Sequence, residues 1–178
     1  MTDPRIKRTR LHVLETARQM LAARTSEPFT FTTLAAHARV SRRTLYTHWG
    51  SIDRVISDAV TLRVAEELED LSSMPPRARL RRFLESIRTG VADPVTRVAL
   101  TSLMNQSNHD ADAANSLVDM AATRMQHFRE TVAPIERDVY LQIAGPIYFA
   151  EFLDAQPASD ELLDALTERG AALLGFDA

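Results

Sequence analysis

The sequence contains no cysteine, which excludes disulfides, thiol nucleophiles and Cys-type zinc or iron–sulfur sites. Long hydrophobic runs are missing too. The longest stretch without a charged or strongly polar side chain is Ile143–Ala150, far short of the ~20 residues a spanning helix needs. No apolar segment of signal-peptide type follows Met1, so the expectation is a cytoplasmic protein with no membrane partner. Asn-Gly and Asp-Gly pairs and bounded period-2 runs are absent as well, which argues against β-structure. There is no Gly-rich phosphate loop and no His–carboxylate cluster of catalytic or metal-binding spacing. The chain therefore reads as a non-enzyme without cofactor or metal. His109, Asp110 and Asp112 read as a helix cap and solvated charge in preference to metal ligands.

What is present is an ordinary globular composition: 178 residues, 45% hydrophobic and 25% charged. That is enough for one compact unit, or two small pieces sharing a core. The net charge of −3 conceals an asymmetry. Residues 1–55 hold ten Arg or Lys against four Asp or Glu, while the remainder holds eleven Arg against twenty acids. A basic first third on an acidic body fits either a solvated face or a polyanion docking at one end.

Helical periodicity recurs along the chain. Leu11, Leu14, Ala17 (or Arg18) and Leu21 share one face, predicting a helix over about 5–24, broken by Thr25-Ser26-Glu27-Pro28. Thr30 can cap a short helix to about His37, Ser41 a third over about 42–49, and Ser51 a fourth to about Leu71. After the Ser72–Pro76 break, helices are expected at about 77–90, 94–106, 110–131, 136–155 and 159–174, with Thr89-Gly90 and Asp93-Pro94 punctuating the first two. Asp110 and Ser159 are the N-cap candidates of the later ones. The fold class is all-α, with about nine helices.

Residues 30–49 carry the chemistry. Leu34, Ala35, Ala38, Val40, Leu45 and Trp49 form an inner face across two short helices joined by a three-residue turn. At 100° per residue, Leu45 and Trp49 point together while Arg43 and Thr47 point away, with Thr44 and Tyr46 on the flanks and Arg42 at the leading end. An exposed face of Arg, Thr, Tyr and His suits a major-groove reader: Arg donates bidentate to guanine, and Thr and Tyr meet phosphate or a thymine methyl. This is helix-turn-helix chemistry.

Residues 9–60 resemble the DNA-binding domain of TetR-family transcriptional regulators. The resemblance rests on Thr9-Arg10, Phe29-Thr30, Leu34-Ala35 and above all Val40-Ser41-x-x-Thr44-Leu45-Tyr46-x-His48-Trp49. It implies a homodeomain-like three-helix reader over 1–55 and a helical effector-binding and dimerisation domain over 56–178, the latter by architecture only. It also implies base contacts from Thr32, Arg42, Arg43 and Tyr46, and phosphate contacts from Thr44, Thr47 and His48. His48 could alternatively be merely solvated. Arg5, Lys7, Arg8 and Arg10 could be either a solvated end or an arm touching DNA. Two positions depart from the family pattern: Arg39 stands where the turn usually has Gly, and Ile52 where Lys often holds a phosphate.

Residues 139–153 are apolar on nearly every helical face, which requires burial on two sides. With the resemblance, this places a homodimer interface on helices 136–155 and 159–174. Pro146 inside the first of them is expected to bend its axis. Effector-pocket candidates on the middle helices are Phe83, Met104, Met120, Met125, Phe128 and Tyr140, with Asn105, Gln106 and His127 as polar companions; each is also compatible with plain core. The expected function is a one-component regulator, a dimeric repressor released from a palindromic site on double-stranded DNA by an unknown small molecule. The alternative is an architectural or partner-controlled DNA-binding protein without an effector.

Overall fold

The computed structural model describes residues 4–23, 28–67 and 71–176. Nine α-helices and no strand occur among the described residues: α1 Pro4–Ala23, α2 Phe31–Ala38, α3 Arg42–Trp49, α4 Ile52–Glu67, α5 Pro76–Ala92, α6 Pro94–Gln106, α7 Ala111–Thr131, α8 Arg137–Phe152 and α9 Asp160–Leu174. A 3₁₀ turn, Leu71–Ser73, precedes α5. Most of the break after α1 (residues 24–27) and the expected last turn of the fourth helix (68–70) lie outside the described residues.

The helix starts follow local chemistry. Thr30 accepts from the Thr33 amide while Thr33 Oγ1 accepts from the Thr30 amide, a reciprocal cap. Ser41 Oγ accepts from Thr44 N at 3.0 Å, Ser51 Oγ from Arg54 N at 3.3 Å and Ser159 Oγ from Leu162 N at 3.1 Å. Asp110 Oδ1 accepts from Asp112 N at 2.8 Å, opening α7. Pro stands at the first helical residue of α1, α5 and α6, where its missing N–H costs nothing.

Two helix ends differ from expectation. α5 runs through Gly90 to Ala92, because the terminator is Pro94, whose ring excludes the helical region for Asp93 (ψ 125°). α8 ends at Phe152, three residues early. There Ala155 turns left-handed (φ 54°) and the Gln156 amide folds back to the Ala150 carbonyl. Within α8, Pro146 interrupts the hydrogen-bond ladder without ending the helix.

The chain forms two compact units. The first holds residues 1–65 and 94–120, that is, α1 to most of α4, α6 and the start of α7. Its core joins Val13, Leu14 and Ala17 of α1 to Leu34 and Ala38 of α2, Leu45 and Trp49 of α3, and Val55 and Ala59 of α4. A second cluster packs Ile56 and Val60 against Ala99 and Leu103 of α6 and Ala113 of α7. The other unit holds residues 66–93 and 121–178, with α5, α8 and α9 mutually packed. Leu80, Phe83, Leu84, Ile87, Phe128, Ile143, Ile147 and Leu163 are its fully buried large side chains. Gly170 of α9 sits where a Cβ would come within 2.8 Å of Leu80 Cδ2, so its lack of a side chain lets α5 close on α9. Arg81 pairs with Asp160 and Asp164, and Arg88 with Asp160, binding α5 to the start of α9. No described helix is long and apolar enough to cross a membrane.

Candidate nucleic-acid interface

The turn between α2 and α3 is made by Arg39 itself. Its backbone is left-handed (φ 53°, ψ 41°), and the amides of Arg39 and Val40 return to the carbonyls of Ala36 and Ala35. The turn geometry therefore survives without glycine, at the steric cost a Cβ incurs there. Arg39→Gly is expected to stabilise the protein by about 1 kcal/mol, raising the melting temperature by about 2–4 °C for a chain of this size. A thermal melt followed by circular dichroism checks this, and an unchanged or lower midpoint counts against strain at the turn.

Contacts from α1 and α4 hold the motif in place, and a further bond ties those two helices to each other. His12 Nε2 of α1 lies 3.0 Å from the Ala38 carbonyl at the end of α2, so an Nε2–H tautomer satisfies one of the carbonyls the helix leaves open. Arg18 donates to the Ala59 carbonyl of α4 at 3.0 Å. Trp49, buried at the end of α3, donates its indole N–H to Asp58 Oδ2 at 2.9 Å. The same oxygen receives Arg10 at 2.5 Å, and the Arg10 guanidinium lies 5.8 Å from the Trp49 ring centroid. Arg10 is thus a brace on α3, and Arg5, Lys7 and Arg8 sit on the first turns of α1 as part of a regular helix. Neither the His12–Ala38 nor the Trp49–Asp58 bond has a sequence signature, because the partners lie 26 and 9 residues apart.

With Leu45 and Trp49 buried, α3 turns its opposite side outward. Arg42, Arg43, Tyr46 and Thr47 are exposed, and Thr44 and His48 are half-buried at the edges. Tyr46 is 58% exposed, yet its ring meets Phe31 edge-on at 4.5 Å, which fixes the direction of its hydroxyl. Thr44 Oγ1 is 2.8 Å from Ser41 Oγ, and Thr47 Oγ1 donates to the Arg43 carbonyl at 2.8 Å. Both hydroxyls are held to the helix with lone pairs to spare. Thr32 is exposed on the first turn of α2. The structure thus places these seven residues on α2 and α3 of one helix-turn-helix, Arg42 and Arg43 leading. Ile52 is half-buried against the core, packed as an apolar residue where a phosphate-holding cation was absent from the sequence.

Immediately behind α3, Asp53 is only 3% exposed and its Oδ1 has no hydrogen-bond partner. Burial pushes its carboxyl above the ordinary value, the charge of Asp110 adds to this, the backbone hydrogen bond at the helix start opposes it, and Asp112 adds further. The native state therefore binds this proton more tightly than the unfolded chain. Stability falls as pH rises from the ordinary 3.8 through the raised native value. Asp53→Asn is expected to raise the melting temperature at neutral pH by a few degrees, the gain vanishing at acid pH where both proteins are neutral at this position. A gain that persists unchanged in acid refutes this account.

The effector-pocket candidates divide between the units. Phe83, Phe128 and Tyr140 come together in the second, with ring centroids 4.9 Å apart for Phe83–Phe128 and 5.7 Å for Phe128–Tyr140. His127 stacks on Phe83 at 6.1 Å, and Met125 is half-buried on α7. Met120 packs instead on the Ile56 cluster of the first unit, and Met104 is exposed on α6 beside exposed Asn105. Gln106 donates to Ser102 on its own helix. Among the described residues no group of three or more His, Asp or Glu side chains is arranged to hold a metal ion.

Residues 13–59, from the first core residue of α1 to the middle of α4, match the family model described as bacterial regulatory proteins, tetR family. No curated protein matches the chain at a significant level.

Proposed function

We propose that this chain, a DNA-binding transcriptional regulator of the tetR family by its residues 13–59, is a cytoplasmic homodimeric repressor released from a palindromic operator by a small molecule. In this reading residues 1–55 read DNA, and residues 56–178 bind the effector and dimerise. The observation that carries it is the outward face of α3, on which two arginines and an oriented tyrosine stand free of the core. Arg42, Arg43, Tyr46 and Thr32 contact bases, and Thr44, Thr47 and His48 contact phosphates. No catalytic step belongs to this function.

Dimerisation is supported by the outer side of α8. Leu141, Phe149 and Leu153 are 46%, 61% and 73% exposed, spaced four or eight apart on one stripe with Gly145 between them. A Cβ built on Gly145 meets nothing within 4 Å, leaving room for a second helix to approach closely. Leu173 of α9 is exposed as well. Two copies joined here present paired α3 helices to half-sites about one DNA turn apart. Release then follows if the effector binds the DNA-incompetent arrangement more tightly.

The test is selection of bound duplexes from a random pool at two salt concentrations, with sedimentation of the free protein alongside. The expected result is a palindromic motif, affinity falling steeply with salt, and a dimer at micromolar concentration. A monomer, or a motif without two-fold symmetry, removes the dimeric reading. A symmetric motif bound by a protein that no small molecule releases favours the architectural alternative.

A further inference from the structure

Three helices of the second unit direct polar groups into one buried place. Arg124, His127 and Phe128 lie at i, i+3 and i+4 on α7, so they share a face. Tyr140 and Tyr148, eight residues apart, share a face of α8, and Phe83 and Ser86 a face of α5. Tyr140 is 7% exposed, and its hydroxyl has no hydrogen-bond partner; neither has the buried Nε2 of His127. They are two of five such atoms among the described residues, and each forfeits its hydration without return.

Arg124 lies three residues before His127 on the same face of α7. Its guanidinium lies 5.0 Å from the Phe83 ring centroid and donates once, to Ser86 Oγ at 2.8 Å. No carboxylate of the described residues pairs with it. His127 stacks on Phe83 at 6.1 Å and Tyr140 meets Phe128 edge-on at 5.7 Å, so these groups meet around the Phe83–Phe128 pair; the charge of Arg124 acts on His127, Tyr140 and Tyr148, and that of Tyr148 on Tyr140. Burial, with Arg124 reinforcing it, holds the His127 ring below its ordinary titration range. Burial likewise raises both tyrosines. At neutral pH the cluster is therefore one fixed cation among neutral N–H and O–H groups, walled by Phe83 and Phe128.

We propose that this cluster is the effector site and that it takes a small organic carboxylate on an aromatic or short acyl body. The carboxylate accepts from the free edge of Arg124, from the Tyr140 hydroxyl and from His127 Nε2–H. Its apolar body lies against Phe83 and Phe128. One cation matches one negative charge, whereas a phosphate dianion leaves a charge buried and unpaired. The inference rests on the proposed effector control and supplies its ligand class.

The full-length protein is titrated with benzoate, 4-phenylbutyrate and octanoate, with the matching amides, and with benzylammonium, by thermal shift and calorimetry. At least one carboxylate is expected to bind and raise the melting temperature, and its amide and the cation are not. Arg124→Gln is expected to weaken that carboxylate about 10- to 100-fold, and Tyr140→Phe about 3- to 10-fold. Should Arg124→Gln fail to fold, Tyr140→Phe and Arg124→Lys decide the matter. The proposal is overturned if no carboxylate binds, if amides bind as well as acids, or if affinity is indifferent to both residues. A carboxylate that binds through Arg124 but leaves operator affinity unchanged upholds the site and removes the release mechanism.

Discussion

Replacing Arg42 and Arg43 together with alanine is expected to reduce operator affinity by on the order of 10³-fold or more, with the fold intact. Each bidentate guanidinium–base contact discriminates by about 1–3 kcal/mol, roughly a 5- to 150-fold effect, and the proposed dimer would make each contact twice. Both side chains are exposed on the first turn of α3. Ser41, which caps that turn, is unaffected by their loss, so the melting temperature is expected to stay within about 2 °C. Fluorescence anisotropy on the selected duplex and on a scrambled one measures the effect. If these arginines read bases, the gap between the two duplexes narrows. If they hold only phosphates, both affinities fall together and the salt slope drops by about 0.9 for each lost contact. His48→Ala, at the edge of the same face, is expected to behave in that second manner. A double variant within about threefold of the parent places DNA on another surface.

Why this face was legible in advance, and other features were not, follows from the range of the interactions involved. The caps at Thr30, Ser41 and Ser159 act over three residues, and the alternation of Leu45 and Trp49 against Arg43 and Thr47 is a property of one helix, so a single sequence window contains each of them. Gly90 misled because a glycine signals a helix end only when the backbone turns left-handed there. The helix continues past Gly90 until Pro94 stops it, by acting on Asp93. Arg39 is the converse: a residue with a Cβ adopts the left-handed turn because the surrounding helices over-determine it. Glu151, a charged residue in an otherwise apolar stretch, is buried and accepts the Ala158 amide at 3.3 Å, tying the end of α8 to the segment leading into α9. The proposed effector cluster was half visible. Phe83, His127, Phe128 and Tyr140 stood out as bulky residues on middle helices, whereas Arg124 reads in sequence as one more surface cation. Only the packing of α5 against α7 shows it lying over an aromatic ring.

The brace beneath α3 belongs to the same long-range class, joining residues 9 and 48 apart in sequence, and it sets the second large expectation. Trp49 is the only tryptophan in the chain and is buried in the core of the first unit. Trp49→Ala removes the ring that α1 and α4 close upon, and also strips Asp58 of a donor. The expected loss is about 3–5 kcal/mol, or roughly 6–20 °C in melting temperature at about 2–4 °C per kcal/mol. Trp49→Phe separates the two contributions. It keeps most of the buried area and loses the indole N–H, so the expected loss is only about 1 kcal/mol. Asp58→Asn keeps an acceptor for Trp49 but removes the charge that holds Arg10, and its cost is expected to be similarly small because that pair is partly exposed. Circular dichroism melts of the three variants give the ranking. A Trp49→Ala protein that melts within about 2 °C of the parent means that α3 is not anchored through this ring. The DNA affinity of Trp49→Phe then carries the functional half of the argument. If the indole bond sets the angle at which α3 presents Arg42, Arg43 and Tyr46, affinity falls by more than the small loss of stability accounts for, since a folded population near unity leaves no other route to weaker binding.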